Sequence, residues 1–133
     1  MEIQKPKKLI RSYRDLDVYQ GTYKAGIIVI QQIIPKLPKE EQFDLADQLR
    51  RSVKAIPRLI AEGFGKKDQR KGFQKYLDDA MTECNETVVG LSQCRDLYSP
   101  PVELELCDEL IAIYDKSARQ LYNLKKAWNK FIH

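Results

Sequence analysis

Three cysteines, one histidine and a short row of carboxylates are the residues of this chain that could carry covalent or metal chemistry. Cys84, Cys94 and Cys107 would need a base to act as nucleophiles, and the single histidine is His133, the last residue of the sequence. Cys84 and Cys94 fall at core spacing on one predicted helix. They lie about 15 Å apart at ~1.5 Å per residue, too far for a disulfide. An odd number of reduced thiols fits a cytoplasmic protein. Asp79, Glu83 and Glu86 share one helical face and could in principle hold a divalent cation. Metal sites in helical bundles draw Glu-x-x-His pairs from facing helices, and no such pair occurs, so these acids read as a solvated, ion-paired face beside Lys75. Gly63-Phe64-Gly65 is no phosphate loop, because no strand pattern precedes it and no Lys-Ser/Thr follows. The expectation is no catalytic residue, no metal ligand, no cofactor and no small-molecule substrate.

The remaining chemistry is charge. Between positions 50 and 75 nine basic residues stand against two acidic ones, Glu62 and Asp68. Arg50, Lys54 and Arg58 are four apart and form one stripe of a helix, with Arg51 beside it. Lys66, Lys67, Arg70 and Lys71 cluster where the next helix should begin. Cations there are disfavoured by roughly 0.3–1 kcal/mol each, a sign that an anion bound at the helix start would reverse. The phosphates of RNA or DNA are the natural anion. The same charges also describe lysines that point into water and are screened. Aromatic residues are sparse in this stretch: only Phe64 and Phe73, and Phe73 falls on a core seam. Any binding is therefore expected to follow the backbone and tolerate sequence.

Four helices position these residues. The first 14 residues hold Lys5, Lys7, Lys8, Arg11 and Arg14 against Glu2, a basic and loosely ordered arm with no apolar segment that would make it a secretion signal. Asp15 is expected to cap a helix whose seam runs Leu16, Tyr19, Tyr23, Ile27, Ile30, Ile34, Leu37, until Pro35 and Pro38 end it. A second helix opens on Glu40, Glu41, Asp44 and Asp47 and buries Ala46, Leu49, Val53, Ile56 and Ile60, with Pro57 bending it and Gly63 and Gly65 ending it. A third carries Phe73, Leu77, Ala80, Cys84, Val88, Leu91, Cys94 and Tyr98. The fourth carries Leu106, Leu110, Tyr114, Ser117, Leu121, Leu124 and Trp128. The spans are about 15–35, 40–62, 68–98 and 101–131, and alternating threes and fours place them in an all-α, antiparallel, up-down four-helix bundle. A length of 133 residues suits one domain. The longest apolar run, Ile27 to Ile30, is far short of the roughly 20 residues that span a bilayer, so no membrane partner is expected. The net charge of +4 is too mild to decide between partners.

The first helix has more apolar surface than one seam needs. Val18, Ile28, Val29 and Ile33 lie off the main stripe and predict a second partner, most simply another copy of the chain. Glu62 reads as a structural carboxylate that accepts amides of the following turn or pairs with an arginine. Asn85 and Glu86 read as polar contacts between helices.

Ser12 to Gln20, Gln48-Leu49-Arg50-Arg51-Ser52-Val53, Ile56-Pro57, the string Ile60-Ala61-Glu62-Gly63-Phe64-Gly65-Lys66, then Phe73, Tyr76-Leu77, Ala80 and Asn85-Glu86 together resemble the four-helix bundle proteins encoded in intervening sequences of bacterial 23S ribosomal RNA genes. The resemblance covers most of the chain and accounts for a proline inside a helix. Leu59 and Glu83 depart from it, standing where the family commonly has Asn and Ser. The resemblance implies small subunits that assemble as rings, typically pentamers. It also implies a distant likeness to the accessory protein of diversity-generating retroelements, a basic pentameric barrel that works beside a reverse transcriptase. The function expected from residues and resemblance together is a non-enzymatic, ring-forming protein that binds nucleic acid through the basic stretch. The alternative is a scaffold that recruits a partner enzyme, with nucleic-acid contact secondary.

Overall fold

The computed structural model describes residues 9–129; Lys5, Lys7 and Lys8 of the basic arm, and His133, lie outside them. The described chain is helical and has no strand. It opens with a 3-10 turn, Tyr13–Asp15. Ser12 accepts the Arg14 amide at 3.2 Å, and the Asp15 carboxylate reaches back to the amides of Arg11 and Ser12 at 2.8 and 3.0 Å. Residues 12–15 of the arm are thus ordered, and Asp15 closes this turn instead of capping the helix after it.

Helix α1, Asp17–Ile28, starts without a side-chain cap. Its path continues through a π-helical segment, Val29–Ile33, and a 3-10 turn, Ile34–Lys36. Pro35 offers no amide, and in an α-helix its ring would press on the carbonyl four residues before it. The widened turn, in which the Ile34 amide reaches the Val29 carbonyl, makes room for it. Helix α2, Leu45–Phe64, begins later than the acids at 40–44 predict. Lys39–Glu41 forms a separate 3-10 turn, and the Glu41 carboxylate accepts the Tyr98 hydroxyl instead of serving the helix start. Helices α3, Arg70–Tyr98, and α4, Leu104–Asn129, follow.

The helices form one bundle in which α1 packs on α2 and α4, and α3 packs on the same two. Contacts pair rising positions on α3 with falling ones on α2, Tyr76 with Gly63 and Thr87 with Ser52. Arg95 with Asp108 and Asp78 with Lys125 do the same for α3 and α4. Both helix pairs are therefore antiparallel. The predicted α2 seam is buried in full, and Phe73, Leu77, Ala80, Cys84, Leu91 and Cys94 of α3 face it with Leu110, Tyr114, Ser117 and Leu121 of α4. At Gly63 a Cβ would lie 2.7 Å from the Cβ of Tyr76, so α2 and α3 approach too closely there for any side chain.

The first helix is turned from its predicted phase. Val18, Thr22, Ala25, Val29 and Ile33 face the core, with Val29 and Ile33 wholly inaccessible. Val18, Val29 and Ile33 are therefore not available to a second copy, and Ile28 is half-buried against the same core. The outward stripe is Tyr19, Tyr23, Ile27 and Ile30, with Tyr23 50% and Ile27 41% exposed. The small residues Thr22, Ala25 and Gly26 let α1 sit close on its neighbours, and the threonine hydroxyl is satisfied by the Val18 carbonyl at 2.8 Å. Two apolar faces do exist on this helix: Tyr23 and Ile27 point outward, Tyr19 and Ile30 are partly buried between the faces, and Leu16 and Ile34 at the ends of the expected seam are buried. No helix among the described residues is long and apolar enough to cross a membrane.

Candidate nucleic-acid interface

Helix α2 places the basic stripe. Lys54 and Arg58 are exposed and form a ridge between two grooves, Arg51 turns toward α3, and Arg50 is half-buried. Arg51 makes only a loose pair with Asp47, 3.9 Å away with its side chain 78% exposed, a geometry of little energetic weight. Arg50, Lys54, Arg58, Lys66 and Lys71 make no ion pair with a described residue. Lys67 is tied down in part: its ammonium sits 4.9 Å from the centre of the Phe64 ring, and its carbonyl accepts the Trp128 indole N–H at 2.9 Å. Arg70 is the first residue of α3, but its side chain lies outside the described ones. α3 begins without a side-chain cap and without an acid in its first turn.

Glu62 does not hold the turn after α2. It is exposed and has neither a hydrogen bond nor an ion pair with a described residue. Backbone bonds from Lys66 to Gly63 at 2.9 Å and from Lys67 to Phe64 at 3.1 Å close that turn, and Trp128 staples it from α4. Asn85 and Glu86 are likewise exposed and do not join helices. That contact belongs to two residues sequence reasoning passed over: Thr87 donates to Ser52 at 2.8 Å, both buried. Their i, i+35 spacing carries no signal until α2 and α3 are paired.

Between α2 and α3 runs a groove with cations on one wall and acids on the other. One part, about 520 Å³, is lined by Arg51, Lys54 and Arg58 opposite Asp79 and Glu83; the next, about 740 Å³, takes in Glu86, Asn85 and Val89. Burial first, and then the neighbouring Glu86 and Asp79, raise the Glu83 carboxyl above its ordinary pKa. Among the described residues no group of three His, Cys, Asp or Glu is arranged to hold a metal ion. Cys84, Cys94 and Cys107 are all buried and free, and burial pushes the Cys84 and Cys94 thiols up to about 12. Burial raises the Cys107 thiol as well, and so disfavours the thiolate at all three positions.

On the other side of the Lys54–Arg58 ridge the turned α1 brings up three tyrosines. Tyr13, Tyr19 and Tyr23, with Ile27 and Ile30, line a groove of about 490 Å³ against Lys54, Pro57 and Arg58. Tyr13 meets Tyr19 edge to face at 4.9 Å between ring centres, Tyr19 lies 5.9 Å from Tyr23, and the Arg14 guanidinium covers Tyr13 at 4.7 Å. The spacing of Tyr19 and Tyr23 put them on one face from the start. Assigning that face to the core hid them.

The family model for 23S rRNA-intervening sequence protein matches residues 14–130. The chain belongs to this family. No curated protein and no solved structure matches it. Leu59 and Glu83 line one groove beside Arg58.

Proposed function

We propose that this family member is a non-enzymatic, self-associating bundle that binds nucleic acid, RNA foremost, through Lys54, Arg58, Lys66 and Lys71. The observation that carries the reading is that these cations are exposed and make no ion pair with a described residue, in a chain with 19 acidic residues. Asp79 and Glu83 line the groove across from Lys54 and Arg58 without pairing with them, and a polyanion would find these cations ready to replace its counterions. Arg95 with Asp96 and Asp108, and Lys125 with Asp78, show that other cations of the bundle do find carboxylates.

Self-association is supported by apolar side chains left in water, Phe43 at 87% exposed, Leu97 at 66% and Val89 at 56%. A ring, with five copies as the family resemblance implies, would repeat the basic edge and multiply its field. A cytoplasmic setting accords with three free thiols. The same apolar side chains favour a second reading, a scaffold that recruits a partner enzyme. Protein purified without nuclease tests both components at once. The reading expects a native mass several times that of the chain and an absorbance ratio at 260 to 280 nm raised by bound RNA that ribonuclease removes. A monomer free of nucleic acid, with no affinity for added RNA, would overturn it.

A further inference from the structure

We infer that the α1–α2 groove takes unpaired bases, so that the nucleic acid recognised is a single strand; this rests on the basic edge proposed above and names its substrate class. Tyr23 leaves half of its surface in water one helical turn from Tyr19, while Tyr13, itself covered by Arg14, packs edge to face on Tyr19. Lys54 and Arg58 stand on the opposite wall, and no carboxylate lines the groove. Aromatic faces beside unpaired cations are the means by which proteins hold single strands: bases stack on rings, and the cations follow the phosphates. The charge argues against a second copy of this chain, whose net charge is +4, and for a polyanion. A duplex keeps its bases stacked inside and offers the tyrosines nothing. The apolar floor of Ile27, Ile30 and Pro57 gives a base its dry surroundings. This reading adds base stacking to the backbone-directed binding expected from the sequence and keeps its sequence tolerance, since every base has a face to stack.

The test measures fluorescence anisotropy of a labelled single-stranded RNA without self-complementarity, and of a hairpin duplex of equal length, against the full chain. The single strand should bind more tightly. Tyr23→Ala should weaken it by between about 5- and 150-fold, the range for loss of one base–aromatic stack. Tyr23→Phe should bind as the parent does, and Tyr23→Ala should leave duplex binding unchanged. Circular dichroism of both variants, at a surface position, verifies that the helices persist. Equal affinity for the two probes, or a Tyr23→Ala variant that binds as the parent, overturns this inference. If binding in that case still falls steeply with salt, the basic-edge reading survives alone. A fall in native mass on Tyr23→Ala would make the groove a contact between copies, and would overturn it also.

Discussion

At the scale of single residues, the molecule keeps two polar groups under tension with their surroundings. The Tyr114 hydroxyl is fully buried and has no hydrogen-bond partner among the described residues. It lies beside Gly26 and the Val53 carbonyl: a Cβ built on Gly26 would be 3.3 Å from that carbonyl and 3.7 Å from the hydroxyl. Pro57, four residues after Val53, supplies no amide to the Val53 carbonyl. Removing the hydroxyl removes a buried group's desolvation cost, and Tyr114→Phe is expected to raise stability by about 1 kcal/mol in a thermal melt; a loss would show that the hydroxyl has found a partner. Glu83 is the second case. Its folded pKa is raised, so the fold binds its proton more readily than the unfolded chain does. The ionised carboxylate therefore weakens the fold at neutral pH, and that penalty fades as pH falls through the raised value toward the ordinary carboxylate range. Glu83→Gln should melt higher than the parent at pH 7, with the difference shrinking on acidification. A difference independent of pH would refute that origin.

At the scale of elements, close contact between helices decides what can be changed. Gly63 meets Tyr76 where a Cβ would stand 2.7 Å from another Cβ, and neither backbone can yield without moving a helix. Gly63→Ala is expected to cost about 1–3 kcal/mol, read from denaturant midpoints, as overpacking of a core does; a neutral substitution would mean that α2 and α3 have freedom to part. Helices α2, α3 and α4 could be read from the sequence because large apolar residues recur on one face only. α1 could not be phased that way. Its core side is made of Thr22, Ala25 and Gly26, which look like nothing in a hydrophobic pattern, while Tyr23 and Ile27 on the outside look like core. The ends of elements were also hidden where side chains serve tertiary partners, as Glu41 serves Tyr98. The basic ridge was visible as spacing on α2. The tyrosines that border it required the rotation of another helix, and the Ser52–Thr87 bond required the pairing of two.

At the scale of the whole molecule, the surface separates functions by charge. Ion pairs join α3 to α4 at Arg95–Asp108 and Lys125–Asp78, a mixed groove with a raised carboxyl runs between α2 and α3, and Lys54, Arg58, Lys66 and Lys71 follow the outer edge of α2 into the start of α3. Assembly of copies would repeat that edge around a ring. The most direct test of the account is the dependence of RNA affinity on salt, for the parent and for Lys54→Glu with Arg58→Glu. With four cations each meeting a phosphate, the parent's logarithmic slope is expected near about −3, at roughly −0.7 per contact on a single strand. The double variant should bind far more weakly, with a flatter slope, while its helical content is unchanged. RNA affinity that ignores both salt and this charge reversal would contradict the account.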